Sequence, residues 1–295
     1  MPDSSPSAGE IAAFADFAVV TARTAGAILR ERFGKPHDVQ YKGTIDMVTE
    51  ADKASEALIA ERIRSRFPAH DLLGEEGARG ASGSPYRWIV DPLDGTTNFA
   101  HSLPTFAVSI ALELDGAPLV GVVHDPMRDE CFLAVRGGGA TLNGAPLRVS
   151  PTTALIGSLL ATGFAYETSL RLRQADVWRV LIPQVQAIRQ TGSSALNLAY
   201  VAAGRLDGYW ERGIHPWDVA AGALIAQEAG GVVTAFNGGA YHSAARELVA
   251  SNGPLHPFLI DAVSHHGPIG RPGRRRASAI VRCRTDARRQ GRWRP

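Results

Sequence analysis

Acidic residues follow apolar runs at separate places along this chain. In the segment WIVDPLDGTTNF, an apolar run ends at Asp91, and Asp94 lies three positions further on. The segment LLGEEG brings Glu75 and Glu76 to the end of another apolar run, and Asp218 opens a predicted helix. An unpaired buried carboxylate is costly or takes up a proton. These groups therefore need a neutralising partner, and a divalent cation is one that carboxylate oxygens bind well.

The residues after Asp94 predict the start of a short helix. Gly95 permits unusual backbone angles, and Thr96 is typical of a helix opening. A helix N-terminus presents free N–H groups and the positive end of the helix dipole, which together favour phosphate. Mg²⁺ commonly binds through one or two carboxylates and a substrate phosphate. The segment thus predicts a magnesium-dependent phosphate site, to which the backbone carbonyl of Leu93 is available.

Each acidic segment also has an ordinary structural interpretation. Asp91 and Asp94 are then turn or N-cap carboxylates, and Asp218 is a first-turn acid that faces the positive end of its helix. For Asp218 alone, this ordinary interpretation is favoured. The occurrence of three such segments in one chain favours a metal site for Asp91 and Asp94.

Two further segments are ambiguous by residue type. The glycine and serines at 192–194 precede a helical apolar stripe, and N-capping alone explains the serines. Glu211 ends the predicted strand DGYWE, where it either faces a cleft or is a plain exposed acid. His215 is interpreted as structural, because no second histidine lies at a metal-ligand spacing, and Trp217 is interpreted as a core residue.

The composition is that of an ordinary globular protein, with 45% hydrophobic and 20% charged residues. No run approaches the roughly 18 apolar residues of a membrane span. The N-terminal segment carries Asp3, Glu10 and Asp16 where a signal peptide begins with basic residues. Cys131 and Cys283 lie far apart and give neither a disulfide framework nor a zinc spacing. These features predict a cytoplasmic protein that does not engage membranes.

Charge is distributed unevenly, although the 295-residue chain has a net charge of +2. The segment 271–295 holds ten arginines and one acid, a net of +9, so the other 270 residues sum to −7 (21 basic, 28 acidic). The tail lacks apolar periodicity, which predicts disorder over 266–295. It either binds nucleic acid or another polyanion through phosphate contacts or has no selected role. Residues 1–7 are also predicted to be flexible.

Helical and strand patterns alternate along the body of the chain. Predicted helices span 8–34, 51–66, 167–182, 194–203, 216–229 and 255–264. Strands are predicted at 70–77, 86–95, 154–162, 187–189, 207–211, 230–236 and 247–252. Between about 105 and 149, β-branched residues and turn dipeptides predict an antiparallel meander. This mixture predicts an α/β or α+β layered sandwich with a large antiparallel component, with lobes of about 8–150 and 151–265 that share one site.

Three motifs resemble those of one known family. GEEG at 74–77, DPLDGTTNF at 91–99 and WDVAAGALIAQEAGG at 217–231, in that order and separation, are similar to motifs of the inositol monophosphatase family. The resemblance extends over about residues 8–265. It implies an αβαβα sandwich, a homodimer and a lithium-sensitive phosphatase that uses two to three Mg²⁺ ions per subunit.

The resemblance also implies roles for individual residues. It implies that the metal ligands are Glu75, Asp91, the carbonyl of Leu93, Asp94 and Asp218, of which Glu75 and Asp91 also count as catalytic. Thr96 and Asp52 resemble the pair that orients the attacking water. The implied substrate contacts are Asp94, Gly95, Thr96, Gly192, Ser193, Ser194 and Glu211. Lys42, Asp46 and Glu76 match accessory positions near the site.

These features together predict hydrolysis of inositol 1-phosphate by water, without a covalent phosphoenzyme. Other small phosphomonoesters remain alternatives, namely histidinol phosphate, fructose 1,6-bisphosphate or a 3′-phosphoadenosine nucleotide. A different alternative is an RNA- or transcription-associated protein whose phosphatase activity is secondary. The basic segment 268–295 is the local feature that supports nucleic-acid binding.

Overall fold

The computed structural model describes residues 6–35, 37–43 and 45–264. The predictions for residues 1–5 and for the tail 266–295 therefore lie outside the described residues. The helices are α1 (Ala8–Arg32), α2 (Glu50–Arg66), α3 (Thr96–Ala100), α4 (Thr168–Leu181), α5 (Ser194–Ala202), α6 (Pro216–Glu228) and α7 (His256–Ser264). A 3₁₀ turn spans Leu155–Gly157.

The strands form one small hairpin and two larger sheets. The hairpin joins β1 (Val39–Tyr41) to β2 (Met47–Thr49). The large sheet contains β3 (Asp71–Gly74), β4 (Arg79–Gly80), β5 (Tyr86–Asp94), β6 (Ala107–Leu114), β7 (Ala117–Asp125), β8 (Glu130–Val135), β9 (Gly139–Leu142) and β10 (Ala145–Pro146). The second sheet contains β11 (Leu159–Thr162), β12 (Ala187–Arg189), β13 (Gly208–Arg212), β14 (Val232–Thr234) and β15 (Glu247–Ser251).

The large sheet has the strand order β10-β9-β8-β7-β6-β5-β3-β4 and is antiparallel except between β3 and β5. The second sheet has the order β12-β11-β13-β15-β14, with β11 parallel to both β12 and β13. The predicted meander is confirmed as β6–β10. Its hairpin turns place Asp115, Gly116, Asn143 and Gly144 at positive φ, the conformation that tight β-turns of this type require.

Helices and sheets stack in five layers. On the outer face of the large sheet, Leu29 of α1 and Ile59 of α2 pack with Trp88. Between the sheets, Leu196 of α5 and Ile225 of α6 pack against the large sheet, and other residues of these two helices pack on β13 and β15. Helices α4 and α7 cover the far side of the second sheet. The αβαβα prediction is confirmed.

Helix α1 is the one helix among the described residues with the length and hydropathy of a membrane span. Its N-terminus is capped by Ser7 and Glu10, which bond reciprocally as a capping box. One stripe of the helix, including Ala18, Ala22 and Leu29, is fully buried in the core beside the large sheet. This is the packing of an amphipathic core helix.

Most predicted boundaries agree with the structure to within a few residues. The strand predicted at 154–162 is partly wrong, because its first half forms the 3₁₀ turn and β11 begins only at Leu159. The edge strand β4 was not predicted, since two residues carry no periodic pattern. The chain passes from the large sheet to the second sheet between Pro146 and Leu159. Because α5 and α6 pack on both sheets, the division into two lobes stays a prediction.

Candidate active site

A bulge at the end of β5 directs two carboxylates into one cavity. Asp91 pairs with Ser109 and Asp94 with Ala107, so β5 holds one residue more than β6 across this interval. The register shift explains how residues three apart on one strand both line the same cavity. Gly95 then turns the chain at φ +102°, where a β-carbon would lie 3.1 Å from the carbonyl oxygen of Gly192. Helix α3 starts at the next residue.

Asp91 lies at the centre of the acidic group. It is 2% exposed, and the backbone N–H of Leu93 donates to its Oδ1 at 3.0 Å. Burial raises the pKa of Asp91 well above its ordinary value, and the charges of Glu75, Asp94 and Asp218 raise it further. The fold therefore places this carboxylate among like charges and supplies it with one backbone donor.

Asp94 is bound by the N-terminus of α5. The Ser193 hydroxyl and the Ala195 N–H (2.9 Å) donate to Oδ2, and the Ser194 N–H donates to Oδ1 at 3.2 Å. Burial raises the pKa of Asp94 to about 6, although these hydrogen bonds oppose the shift. Ser193 is also the N-cap of α5, with its Oγ accepting from Leu196 N. Ser193 thus caps α5 as predicted and also contacts a carboxylate that lines the cavity.

The acidic turn after β3 is bound from two sides. The Lys42 ammonium pairs with Glu75 Oε1 at 2.8 Å and Glu76 Oε1 at 2.7 Å. From α2, the buried Glu56 carboxylate accepts from Glu76 N and Ala78 N, each at 2.8 Å. Burial raises the pKa of Glu75 to about 7 against the opposing charge of Lys42. Burial also disfavours the charge of Lys42, but Glu75 and Glu76 raise its pKa overall.

Asp218 enters the cavity at the start of α6. Its Oδ2 accepts from the backbone N–H of His215 at 2.7 Å, which forms part of a capping box. Burial and the charge of Glu75 raise its pKa well above the ordinary value. The His215 and Trp217 rings stack beside it, with centroids 4.8 Å apart, and both line the cavity. The predictions of a purely structural His215 and a core Trp217 are therefore incomplete.

Thr96 and Asp52 form a buried pair at the base of the cavity. Thr96 Oγ1 lies 2.8 Å from Asp52 Oδ1 and 3.1 Å from the Leu93 carbonyl oxygen. The N–H and hydroxyl of Thr49 donate to the other oxygen of Asp52. Burial raises the pKa of Asp52 despite these bonds. Thr96 lines the cavity, whereas Asp52 is fully buried behind it.

A second wall of the cavity is formed by Glu211 on β13. The hydroxyls of Tyr209 and Ser194 (2.8 Å) both donate to Glu211 Oε2. Burial raises the pKa of Glu211 to about 7. A β-carbon on Gly163 would overlap the Glu211 carboxylate, so the absence of a side chain there provides its space.

The cavity has a volume of about 890 Å³. It brings together nearly all the predicted site residues: Lys42, Asp46, Glu75, Asp91, Leu93, Asp94, Gly95, Thr96, Gly192, Ser193, Ser194, Glu211 and Asp218. Asp52 and Glu76 lie behind this surface and contact it through Thr96 and Lys42.

The sequence interpretation missed several cavity residues. Gly163 and Tyr166 come from the loop between β11 and α4, and Arg246 lies immediately before β15. None belongs to a motif, so no local signal identified them. Asn98 lies within the DGTTNF motif, and its amide donates to the carbonyls of Thr105 and Thr191 at 2.7 Å each. It therefore ties α3 to the segment that carries Gly192, a function its motif position could have indicated.

The donor chemistry of the cavity fits divalent cations. Across the described residues, no three His, Cys, Asp or Glu side chains form a preformed ligand cluster. Glu75 instead pairs with Lys42, and Asp94 bonds to α5. The available ligands are nevertheless carboxylate oxygens, and these carboxylates raise one another's pKa values. A hard cation such as Mg²⁺ binds oxygen ligands and would neutralise this excess of negative charge. Glu75, Asp91, Asp94, Asp218 and the Leu93 carbonyl are the groups that could hold such ions.

Several known proteins are similar to this chain over most of its length. A model of the inositol monophosphatase family matches residues 10–267. An inositol-1-monophosphatase from Synechocystis sp. is 45% identical over 269 residues, which cover 89% of this chain and 92% of that protein. The Nus factor SuhB of Escherichia coli (strain K12) is 45% identical over 241 residues, covering 80% and 90%. The crystal structure of extragenic suppressor protein suhB from Bartonella henselae matches with a TM-score of 0.82 and 39% identity, covering 85% and 98%.

Proposed function

The chain belongs to the inositol monophosphatase family, and from that premise we propose that it hydrolyses inositol 1-phosphate to inositol and phosphate with Mg²⁺. The family and the named relatives support phosphatase activity in general. The observation that carries the finer proposal is the convergence of Glu75, Asp91, Asp94 and Asp218 on one cavity beside the starts of α3 and α5.

The acidic residues would hold two to three magnesium ions. Asp91 would be shared between the two main sites, with Glu75 and the Leu93 carbonyl on one side and Asp94 and Asp218 on the other. When bound, the ions supply positive charge to the phosphoryl group, activate the attacking water and stabilise the leaving oxygen. Burial raises the pKa values of Asp91 and Asp218, and the neighbouring carboxylates raise them further; a bound cation would offset both effects, which supports this proposal.

Thr96 and Asp52 would orient and deprotonate the attacking water. The Thr96 hydroxyl is within 2.8 Å of Asp52 and lies on the cavity surface, so its lone pairs can accept from a water molecule. Asp52 is a stronger base than an ordinary aspartate because burial raises its pKa. The pair therefore provides a path for a proton from the water through Thr96 Oγ1 to Asp52 Oδ1.

The remaining groups would bind the two ends of the substrate. The first backbone N–H groups of α3, at Thr96 and Thr97, have no partner within the helix and are available to phosphate oxygens. Glu211 would accept a hydrogen bond from an inositol hydroxyl, while Gly192 and Ser194 would contact the ring nearby. Lys42 would give up its contact with Glu75 when a cation binds to that carboxylate.

A phosphate-release panel tests this proposal. The substrates are myo-inositol 1-phosphate, histidinol phosphate and fructose 1,6-bisphosphate, each with Mg²⁺, with added Li⁺ and with EDTA. We expect the highest kcat/KM for the inositol ester, inhibition by Li⁺ and no turnover in EDTA. Preference for another ester would contradict the proposed substrate but not the phosphatase activity. Turnover that persists in EDTA would contradict the metal-dependent mechanism.

A second candidate function follows from the relatives named Nus factor. The E. coli relative is as similar to this chain as the cyanobacterial phosphatase, at 45% identity each. The Arg-rich segment 268–295 supports RNA binding through phosphate contacts. Salt-sensitive RNA binding that disappears when 268–295 is deleted would support this role, and equal binding by the full and truncated chains would contradict the tail's part in it.

We also propose that the enzyme is a cytoplasmic homodimer, as its family resemblance implies. Light scattering of the purified full-length chain measures the assembly directly. A mass equal to a single 31.4 kDa chain at micromolar concentration would contradict the dimer.

A further inference from the structure

We propose that Tyr209 is a positioning residue that selects phosphate esters of polyols by holding Glu211 in place. This inference rests on the proposed function, since it concerns the alcohol end of the same substrate. Tyr209 is fully buried and its ring packs in the core between α5, α6 and the second sheet. Its hydroxyl is directed at the Glu211 carboxylate.

The strand geometry produces this contact. Tyr209 and Glu211 are two residues apart on β13, so their side chains lie on the same face of the sheet. The core holds the Tyr209 ring, and its hydroxyl reaches Oε2 of Glu211. A carboxylate held by a rigid ring loses fewer rotamers when a substrate binds than one free to move.

The hydrogen bonds leave one oxygen of Glu211 for a ligand. Both donors, Tyr209 Oη and Ser194 Oγ, act on Oε2, and neither acts on Oε1. The Gly163 backbone lies against the carboxylate and provides the space for it. Oε1 lies against Gly163 and accepts neither of these bonds, so it is the oxygen with capacity left to accept a hydroxyl of the leaving alcohol.

Ser194 lies between the alcohol end and the metal end of the cavity. It donates its hydroxyl to Glu211 and its backbone N–H to Asp94. The bond to Asp94 comes from the backbone of α5 and does not involve Tyr209. Tyr209 does not touch the cavity itself, since the described lining includes Glu211 and Ser194 but not Tyr209.

The test compares two substrates in Tyr209→Phe, which removes the hydroxyl and keeps the ring. Myo-inositol 1-phosphate carries ring hydroxyls, whereas p-nitrophenyl phosphate has none on its leaving group. We expect kcat/KM for the inositol ester to fall about tenfold, mainly because KM rises. A loss of this size corresponds to one charge-assisted hydrogen bond. Turnover of the aryl ester should stay close to that of the wild type. Glu211→Gln should show the same selective loss, and the double variant should lose little more.

Matched measurements keep the inference falsifiable. Tyr86→Phe removes a hydroxyl on β5, outside the cavity, and should change neither substrate. Thermal unfolding and the aryl ester rate report whether Tyr209→Phe is folded. Equal losses on both substrates, or no loss on either, would overturn the positioning role. Wild-type enzyme without activity on the inositol ester would instead refute the proposed function, so the two failures are distinguishable.

Discussion

The carboxylates on two walls of the cavity differ in their neighbouring charges and hydrogen-bond donors. On the acidic wall (Glu75, Asp91, Asp94 and Asp218), like charges face one another, and Asp91 has one backbone N–H as its donor. On the hydroxyl wall (Ser194 and Glu211, with Tyr209 buried behind them), a single carboxylate receives two O–H donors.

The difference shows what each wall is built to receive. Neutral hydroxyls can be packed inside a protein at little electrostatic cost, so the fold itself completes the environment of Glu211. A concentrated negative charge cannot be compensated by neutral groups alone. We therefore propose that the acidic wall takes up a cation from solution, whereas the hydroxyl wall binds a neutral polyol. Experiments that alter one wall should leave a signature that differs from that of the other.

The largest effect is expected from the centre of the acidic wall. Asp91→Asn removes the carboxylate shared by both proposed metal sites, and kcat should fall roughly 10³-fold, equivalent to several kcal/mol of lost electrostatic stabilisation. Steady-state kinetics with both the inositol and the aryl ester should show the same loss. Asp71→Asn, which alters an aspartate at the start of β3 outside the cavity, is the control. Full turnover by Asp91→Asn at saturating Mg²⁺ would contradict the assignment.

A selective effect is expected from the space beside Glu211. Gly163→Ala would place a β-carbon where the carboxylate lies, so Glu211 must move and the two hydroxyl bonds are lost. We expect kcat/KM for inositol 1-phosphate to fall about 10–100-fold, with the aryl ester much less affected. Gly157→Ala is the matched control, because its β-carbon would meet open space. Parallel loss on both esters would show that the two walls are not separable.

A smaller effect on the acidic wall is expected from its support on α2. Glu56→Gln replaces one of the two carboxylate oxygens that accept from the turn carrying Glu75 and Glu76. Loosening this turn should raise the Mg²⁺ concentration for half-maximal activity about tenfold, with kcat at saturation little changed. The exposed Glu61 lies on the same helix, and Glu61→Gln serves as the control. An unaltered Mg²⁺ titration would show that the turn needs no such support.

The smallest effect concerns pH and stability. Burial raises the folded-state pKa of Asp94 to about 6 and of Glu75 to about 7, whereas unfolded carboxyls titrate near 4. The folded protein therefore holds more protons than the unfolded chain between these values, so this stabilisation is complete below about pH 4 and is lost as pH rises through about 7. Cations should offset that loss.

Calorimetry can measure this effect with and without Mg²⁺. At each pH, the Tm in EDTA is subtracted from the Tm with Mg²⁺. We expect this difference to be a few degrees larger at pH 8 than at pH 5. The difference between the two conditions isolates the acidic wall from other titrating groups. A gap that is the same at both pH values would show that these carboxylates are neutralised within the protein.

The acidic wall was largely predictable from the sequence, whereas the hydroxyl wall was not. Asp91, Asp94 and Gly95 are adjacent in one motif, and their types already indicate a cation and a turn. Glu211 was ambiguous, because an acid at the end of a strand has no distinguishing neighbours in sequence. Tyr209 lies two residues before Glu211 on the same strand, but residue type alone did not indicate that its hydroxyl meets the carboxylate. Gly163 gave no signal, since its relation to Glu211 exists only when β11, which it follows, pairs with β13.

The sequence by itself determined the alternation of helices and strands, the meander and the identity of the acidic segments, because periodicity, capping and turn chemistry act over a few residues. The tertiary structure alone decided which oxygens face one another. Asp94 meets a helix 99 residues further along the chain, at Ser193, and Lys42 meets a turn 33 residues away at Glu75. Such contacts depend on how sheets stack, and packing is a collective property that no local pattern encodes.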